Sequence, residues 1–206
     1  MPKYLALTAV VLCLAATPAR SAQITVTRTT FGSYFVSLVG PILSGDDRTF
    51  ATRTASIPDP AHTLVWLAST GGILATAINI GRTIQQRGYS TLVNVNGICA
   101  SSCALIWFAG KHAIIQRDSQ LIFHMPYSMD TENADPEAIG TMIDYLQSVG
   151  GLTQRQAEFL ARAAPPSSGW WATEAAMRAL GFMPQIVGEL PGPIFTCRAR
   201  LCLVVP

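Results

Sequence analysis

The sequence predicts one α/β domain with repeated βα units and a mainly parallel sheet. Three observations carry this. Short apolar runs rich in β-branched and aromatic residues, at 34–39 and 64–68, read as strands. Between such runs lie segments of helical spacing, with Ile73, Ala77, Ile80 and Ile84 on one face. The 206 residues supply one sizeable core but not two.

The chain starts with Lys3, an apolar run at 4–16 and the small-residue segment Ala19-Arg20-Ser21-Ala22. That is the three-part pattern of a signal peptide, and the run is short for a membrane span. The expectation is cleavage between Ala19 and Ala22, a domain over 23–206, and export to the periplasm or the outside. Removing 1–22 takes away Lys3 and Arg20, so 14 basic residues become 12 against 12 acidic ones. A formally neutral chain without a basic run excludes a nucleic-acid surface.

Losing Cys13 leaves Cys99, Cys103, Cys197 and Cys202. An even number in an exported chain points to disulfides, with three pairings open. Neither pair has zinc spacing or a nearby histidine, so no metal is expected.

In chain order, 34–39 is a strand that ends at Gly40-Pro41. Gly45-Asp46-Asp47 turns, and Asp47 is placed to cap a helix towards Ala55. After a turn at 57–60 comes the strand 64–68, ending at Ser69-Thr70-Gly71-Gly72. The helix from Ile73 stops at Gly88, a C-cap glycine. A strand at 91–95 leads to a turn at 97–101 and a helix at 102–109, apolar nearly all round. Strands follow at 113–115 and 120–123, the latter ending at His124-Met125-Pro126. Helices are expected at 136–149, at 153–164 with Thr153 as its cap, and at 173–180. A loop occupies 165–169, and the tail from Pro184 reads as irregular.

Alternating strands and helices give right-handed crossovers, and ligands bind at the carboxyl ends of such strands. Gly71-Gly72, Ser101 and His124 all fall at those ends. A serine hydroxyl needs a base, and His124 ends a neighbouring strand, whereas His62 and His112 precede strands. Backbone N–H groups beside the glycines and at the start of the 102–109 helix suit an oxyanion.

These residues form four motifs in order: Ser69-Thr70-Gly71-Gly72, then Gly97-Ile98-Cys99-Ala100-Ser101-Ser102-Cys103-Ala104, then Ala109-Gly110, then Ile122-Phe123-His124-Met125-Pro126. The series resembles the Clp protease proteolytic subunit and its exported relatives, a ClpP/crotonase-like fold. The resemblance implies Ser101 as nucleophile, His124 as general base, and the N–H groups of Gly72 and Ser102 as the oxyanion hole. It also implies that Gly71 belongs to the substrate loop and that the chain forms a homo-oligomer.

Two departures stand out. Thr70 replaces the proline of the glycine loop. Where that family carries an aspartate, this chain has Ser167-Ser168-Gly169-Trp170-Trp171. Ser168 is the candidate third member, and Asp130, Asp135 and Glu174 are the carboxylates that could substitute. Trp170 and Trp171 read either as a substrate-facing wall or as a core or subunit contact.

The leading expectation is a serine peptidase with a Ser101-His124 dyad acting on peptides or unfolded segments, with no cofactor and no ATPase partner. The alternative is a weak or inactive binding or assembly protein of the same fold. A crotonase-type thioester enzyme ranks below both, because that class usually uses glutamates. So does a serine-lysine peptidase, because Lys111 lies past the far end of the buried helix.

Overall fold

The computed structural model describes residues 21–30, 32–58, 60–182 and 185–187, without the side chains of 174 and 185–187. Residues 1–20 of the expected leader, with Cys13, and Asp59, Pro184, Cys197 and Cys202 lie outside the described residues.

The chain runs β1 (Gln23–Arg28), β2 (Tyr34–Val39), α1 (Asp46–Thr54), a 3-10 turn (Pro60–His62), β3 (Thr63–Ala68), α2 (Leu74–Arg87) and β4 (Ser90–Val93). It continues β5 (Ile98–Ala100), α3 (Ser102–Phe108), β6 (Ala113–Gln116), β7 (Gln120–Phe123), α4 (Pro136–Ser148), α5 (Gln154–Ala161), β8 (Trp170–Trp171), α6 (Glu174–Ala179) and β9 (Gln185–Val187).

The main sheet has the order β1-β2-β3-β4-β6-β9, parallel except for the edge pair β1–β2. Strand β3 is buried along most of its length, because central parallel strands are covered on both faces. Val36, Val65, Leu67 and Val93 share one core with Ala77, Ile80 and Ile84 of α2. Leu64, Leu92 and Ile114 form a second cluster, with Phe35 packed against it and stacked on Trp66 at 6.0 Å.

A second sheet, β5-β7-β8, diverges from the first. The expected turn over 97–101 is therefore in part a strand. Ile98–Ala100 is held from both sides, by Ser69 and by β7, and three residues are too few to show a period in sequence. The strand expected at 91–95 stops at Val93, because Asn94 to Gly97 closes a turn and the Val95 N–H donates to the Gln116 side chain at 2.7 Å. Strand β9 lies in the tail that was read as irregular. It and the short β8 exist through pairing with β6 and β7.

Asp47 does not cap α1. Gly45 holds that position with φ 92, and Asp47 accepts a bond from Asn79 at 2.9 Å. The buried Asp46 carboxylate accepts instead from the N–H groups of Leu43 at 2.8 Å and Ala22 at 3.2 Å, and from the Ser21 hydroxyl. Other termini follow the sequence reading. Gly88 ends α2 with φ 68 and a Schellman pair of bonds, Gly88 N–H to Gln85 O and Tyr89 N–H to Ile84 O. Thr153 and Gln156 form a capping box on α5.

Helices α2, α3 and α4 meet at Tyr145. Its ring is fully buried, and its hydroxyl donates to the Leu105 carbonyl at 3.1 Å. Burial lifts the phenol well above its usual range, against a smaller opposing pull from Arg82, so it stays a neutral donor. A Cβ on Gly81 would sit 1.8 Å from that hydroxyl oxygen. We predict that Gly81→Ala destabilises by about 1–3 kcal/mol in urea melts. Tyr145→Phe in the same chain should recover part of the loss, and strictly additive effects would contradict this contact.

Candidate active site

Three strand ends converge on one cleft. Past β3, the Ser69 N–H donates to the Ile98 carbonyl and the Ser69 carbonyl accepts from the Ala100 N–H, each at 2.9 Å. This bridge joins the two sheets next to Ser101. The Ser69 hydroxyl also accepts from the Gly71 N–H at 3.0 Å.

Gly71 has φ 94, and a Cβ there would lie 2.7 Å from both the Ala100 carbonyl oxygen and the Ser101 Cβ. The loop backbone thus rests directly on the Ser101 turn. Gly72 pairs with Ile42. The Ile42 N–H donates to Gly71 O and the Ile73 N–H to Ile42 O, each at 2.9 Å. Because strand groups alternate sides, the N–H of Gly72 is left facing away from Ile42. A Cβ on Gly72 would meet the Ile42 carbonyl oxygen at 2.1 Å.

Ser101 joins β5 to α3 with φ 55 and ψ −127, a conformation that costs a non-glycine residue about 1–3 kcal/mol. Its N–H donates to the Ile122 carbonyl at 2.8 Å, and its carbonyl accepts from the Ala104 N–H at 3.0 Å. A Cys99–Cys103 disulfide closes around it, which settles one of the open pairings. Ser102 is 4% exposed, and its hydroxyl has no hydrogen-bond partner among the described residues.

His124 follows β7. Its Nδ1 lies 2.8 Å from the Met125 carbonyl oxygen. A carbonyl only accepts, so this bond puts the proton on Nδ1 and leaves the lone pair on Nε2. The cleft is about 420 Å³. Thr70, Gly71, Gly72, Ser101, Ser102 and His124 line one part of it. Leu43, Ile73, Leu74, Leu105, Met129 and Met142 make an apolar wall, and among the described residues no carboxylate, lysine or arginine lines it.

The other sequence candidates fall elsewhere. Ser168 is exposed in the loop before β8 and does not line the cleft, and the Nδ1 partner it was to supply is the Met125 carbonyl. Asp135 caps α4, accepting from the N–H groups of Glu137 and Ala138 at 3.0 and 3.1 Å, so its carboxylate is already committed. Asp130 is exposed, and the Glu174 side chain lies outside the described residues. Trp170 packs against Phe123 and Phe159, and Trp171 is 54% exposed, so neither forms a cleft wall. Lys111 lies beyond α3, about 10 Å of helix from Ser101.

Sequence reasoning missed the Met125 carbonyl, the Ile42 pairing and the apolar wall. A backbone acceptor has no sequence signature. Met142 sits on the apolar stripe of α4, where a core residue and a cleft residue look alike.

No family model matches the sequence, and no curated protein sequence matches it. Solved structures do. A mutant of ClpP1 from Listeria monocytogenes aligns at 15% identity and a TM-score of 0.57, over 75% of this chain and 91% of that one. A mutant of the 1510-N membrane-bound stomatin-specific protease aligns at 17% identity and a TM-score of 0.56, over 73% of this chain and 77% of that one. A second mutant, in complex with a substrate peptide, aligns at 16% identity and a TM-score of 0.55, over 73% of each chain. At such identities the likeness is one of fold.

We predict that Gly71→Ala costs at least about 2 kcal/mol in chemical denaturation, because it adds both left-handed strain and a backbone clash. A loss within 0.5 kcal/mol of zero would mean that the loop does not rest on Ser101.

Proposed function

We propose that this chain, which has the ClpP/crotonase-like fold, is an exported serine hydrolase acting on peptides or unfolded segments. The observation that carries the reading is the meeting of Ser101 and His124 on one cleft, with the imidazole tautomer already set by the Met125 carbonyl.

In this reading the Ser101 hydroxyl attacks the substrate carbonyl and its proton passes to His124 Nε2. The oxyanion is received by the N–H groups of Gly72 and Ser102. His124 returns the proton to the leaving amine, and water then resolves the acyl-enzyme with His124 again as base. One oxyanion donor is typically worth a factor of about 10²–10³ in rate. A third-member carboxylate does two jobs, orienting the imidazole and stabilising its cation. Met125 supplies the orientation without the charge, so turnover is expected to be slow. An extended peptide would lie beside Gly71-Gly72 by strand addition, with apolar side chains against the Leu43–Met142 wall. A homo-oligomer belongs to the same proposal, supported by Ile98 and Trp171 on the small sheet, 42% and 54% exposed.

The second reading is a binding or assembly protein. The absence of any carboxylate among the described residues that line the cleft favours it. A fluorophosphonate probe separates the two. We predict labelling at Ser101, located by mass spectrometry, that vanishes in Ser101→Ala and slows by about 10²–10⁴ in His124→Ala. A folded wild-type protein that stays unlabelled removes the hydrolase reading and leaves the binding one.

Export makes a separate prediction. The mass of the protein recovered outside the cytoplasm should correspond to an N-terminus between residues 20 and 23. Recovery of a chain that retains the first 19 residues would overturn it.

A further inference from the structure

The Cys99–Cys103 bond raises a question that the proposed chemistry leaves unanswered. It joins the middle of β5 to the second residue of α3, with 5.2 Å between the Cα atoms and only four residues of separation. Closing so short a loop removes less entropy from the unfolded chain than a long-range bond does, so global stabilisation is not the only role open to it. Its position around Ser101 gives it a local one as well.

What lies inside the loop is Ala100-Ser101-Ser102. Among the described residues that line the cleft, Ser101 alone combines a side chain with positive φ. A strained backbone persists where its surroundings over-determine it. Hydrogen bonds act on one side of this turn: Ala100 N–H to Ser69 O, Ser101 N–H to Ile122 O, and Ala104 N–H to Ser101 O. The first two anchor β5 and the Ser101 N–H, and the third merely starts the helix. Further along, α3 is held by the Thr91 hydroxyl at the Trp107 carbonyl and by the Tyr145 hydroxyl at the Leu105 carbonyl. At the turn itself the disulfide adds a covalent tie between β5 and α3. Both cysteines are 0% exposed, so the bond is set when the chain folds and is shielded from solvent reductants afterwards.

We infer that Cys99 and Cys103 are positioning residues, whose disulfide holds the Ser101 turn in its reactive geometry and holds the Ser102 N–H beside it. The inference rests on the hydrolase reading and specifies what makes the serine competent. Relaxation of Ser101 towards an ordinary backbone conformation would displace its hydroxyl within the cleft and move the Ser102 N–H with it. The chain would remain folded and the cleft would be inert.

The test compares one polypeptide in two redox states. In a Cys197→Ser/Cys202→Ser background, which leaves Cys99 and Cys103 as the cysteine pair of the mature chain, unfolding in dithiothreitol and refolding in its presence gives the dithiol form. Two electrons and two protons pass to the cysteine pair, and dithiothreitol closes to its own cyclic disulfide. Refolding the same sample with oxidised glutathione restores the bond and yields two glutathione thiols. Fluorophosphonate labelling rates are measured against pH for both forms, alongside thermal melts, and for the double variant Cys99→Ala/Cys103→Ala.

The expected result is labelling at least tenfold slower in the dithiol form and in the double variant. Unfolding stays cooperative, the pH of half-maximal rate is the same in both forms, and the rate recovers on reoxidation. If oxidised wild type labels and the folded dithiol form labels equally fast, the inference falls while the hydrolase reading stands. If the dithiol form no longer melts cooperatively, the bond is a staple of the whole fold and the inference falls. If oxidised wild type itself does not label, the hydrolase reading fails and takes the inference with it.

Discussion

The arrangement of the cleft depends on one backbone constraint, the turn at Ser101 with φ 55 and ψ −127. A serine does not hold that conformation unaided. It is held because β5 is pinned between Ser69 and β7, because Ser101 donates to Ile122, and because the Cys99–Cys103 bond closes the turn. Gly71 then fits against the turn where no side chain would. These contacts come from the segment after β3, from β7 and from α3, so the site is a junction of two sheets and not a single loop.

The main sheet provides the rigid side of that junction. Its central strand β3 is covered on both faces and ends at Ala68, directly before Ser69. Ile42, just past β2, pairs with Gly72 and so fixes which way that glycine presents its N–H. The loop carrying Ile42 is braced in turn by the buried Asp46, which accepts from the Leu43 and Ala22 N–H groups. The carboxylate next to the one that reads as a helix cap in sequence thus holds the segment before β1 against the loop beside the cleft. Removing one partner of such a buried charge-assisted bond leaves the other unsatisfied, typically at a cost of about 1–3 kcal/mol.

The electrostatics of the cleft differ from those of a complete charge-assisted triad. His124 is oriented by a neutral carbonyl, and the walls are apolar apart from hydroxyls, backbone and the phenol of Tyr127. Such a site can present a nucleophile and a correctly protonated base, but it offers little to stabilise an imidazolium once it forms. An apolar, uncharged cleft also costs little to desolvate when an extended apolar segment enters, which favours binding over rate.

Much of this was legible in the sequence. The parallel α/β architecture followed from buried apolar runs alternating with helical periodicity. Gly88 and Thr153 marked helix ends through local chemistry, and Ser101, His124 and the Gly71-Gly72 pair were visible as strand-end residues. These features are encoded within a few neighbouring residues. The second sheet and the edge strand β9 of the main sheet were not legible, because β5, β8 and β9 are too short to carry a period and exist through long-range pairing. Nor was the partner of His124, since a backbone carbonyl is present at every position and only the turn after β7 selects that of Met125. Asp135 and Ser168 show the same limit from the other side. Their side-chain chemistry qualified them for the site, and the fold assigned one to a helix cap and the other to solvent. Sequence determined which groups could do chemistry, and tertiary structure decided which of them share a cleft, because proximity depends on contacts between residues far apart in the chain.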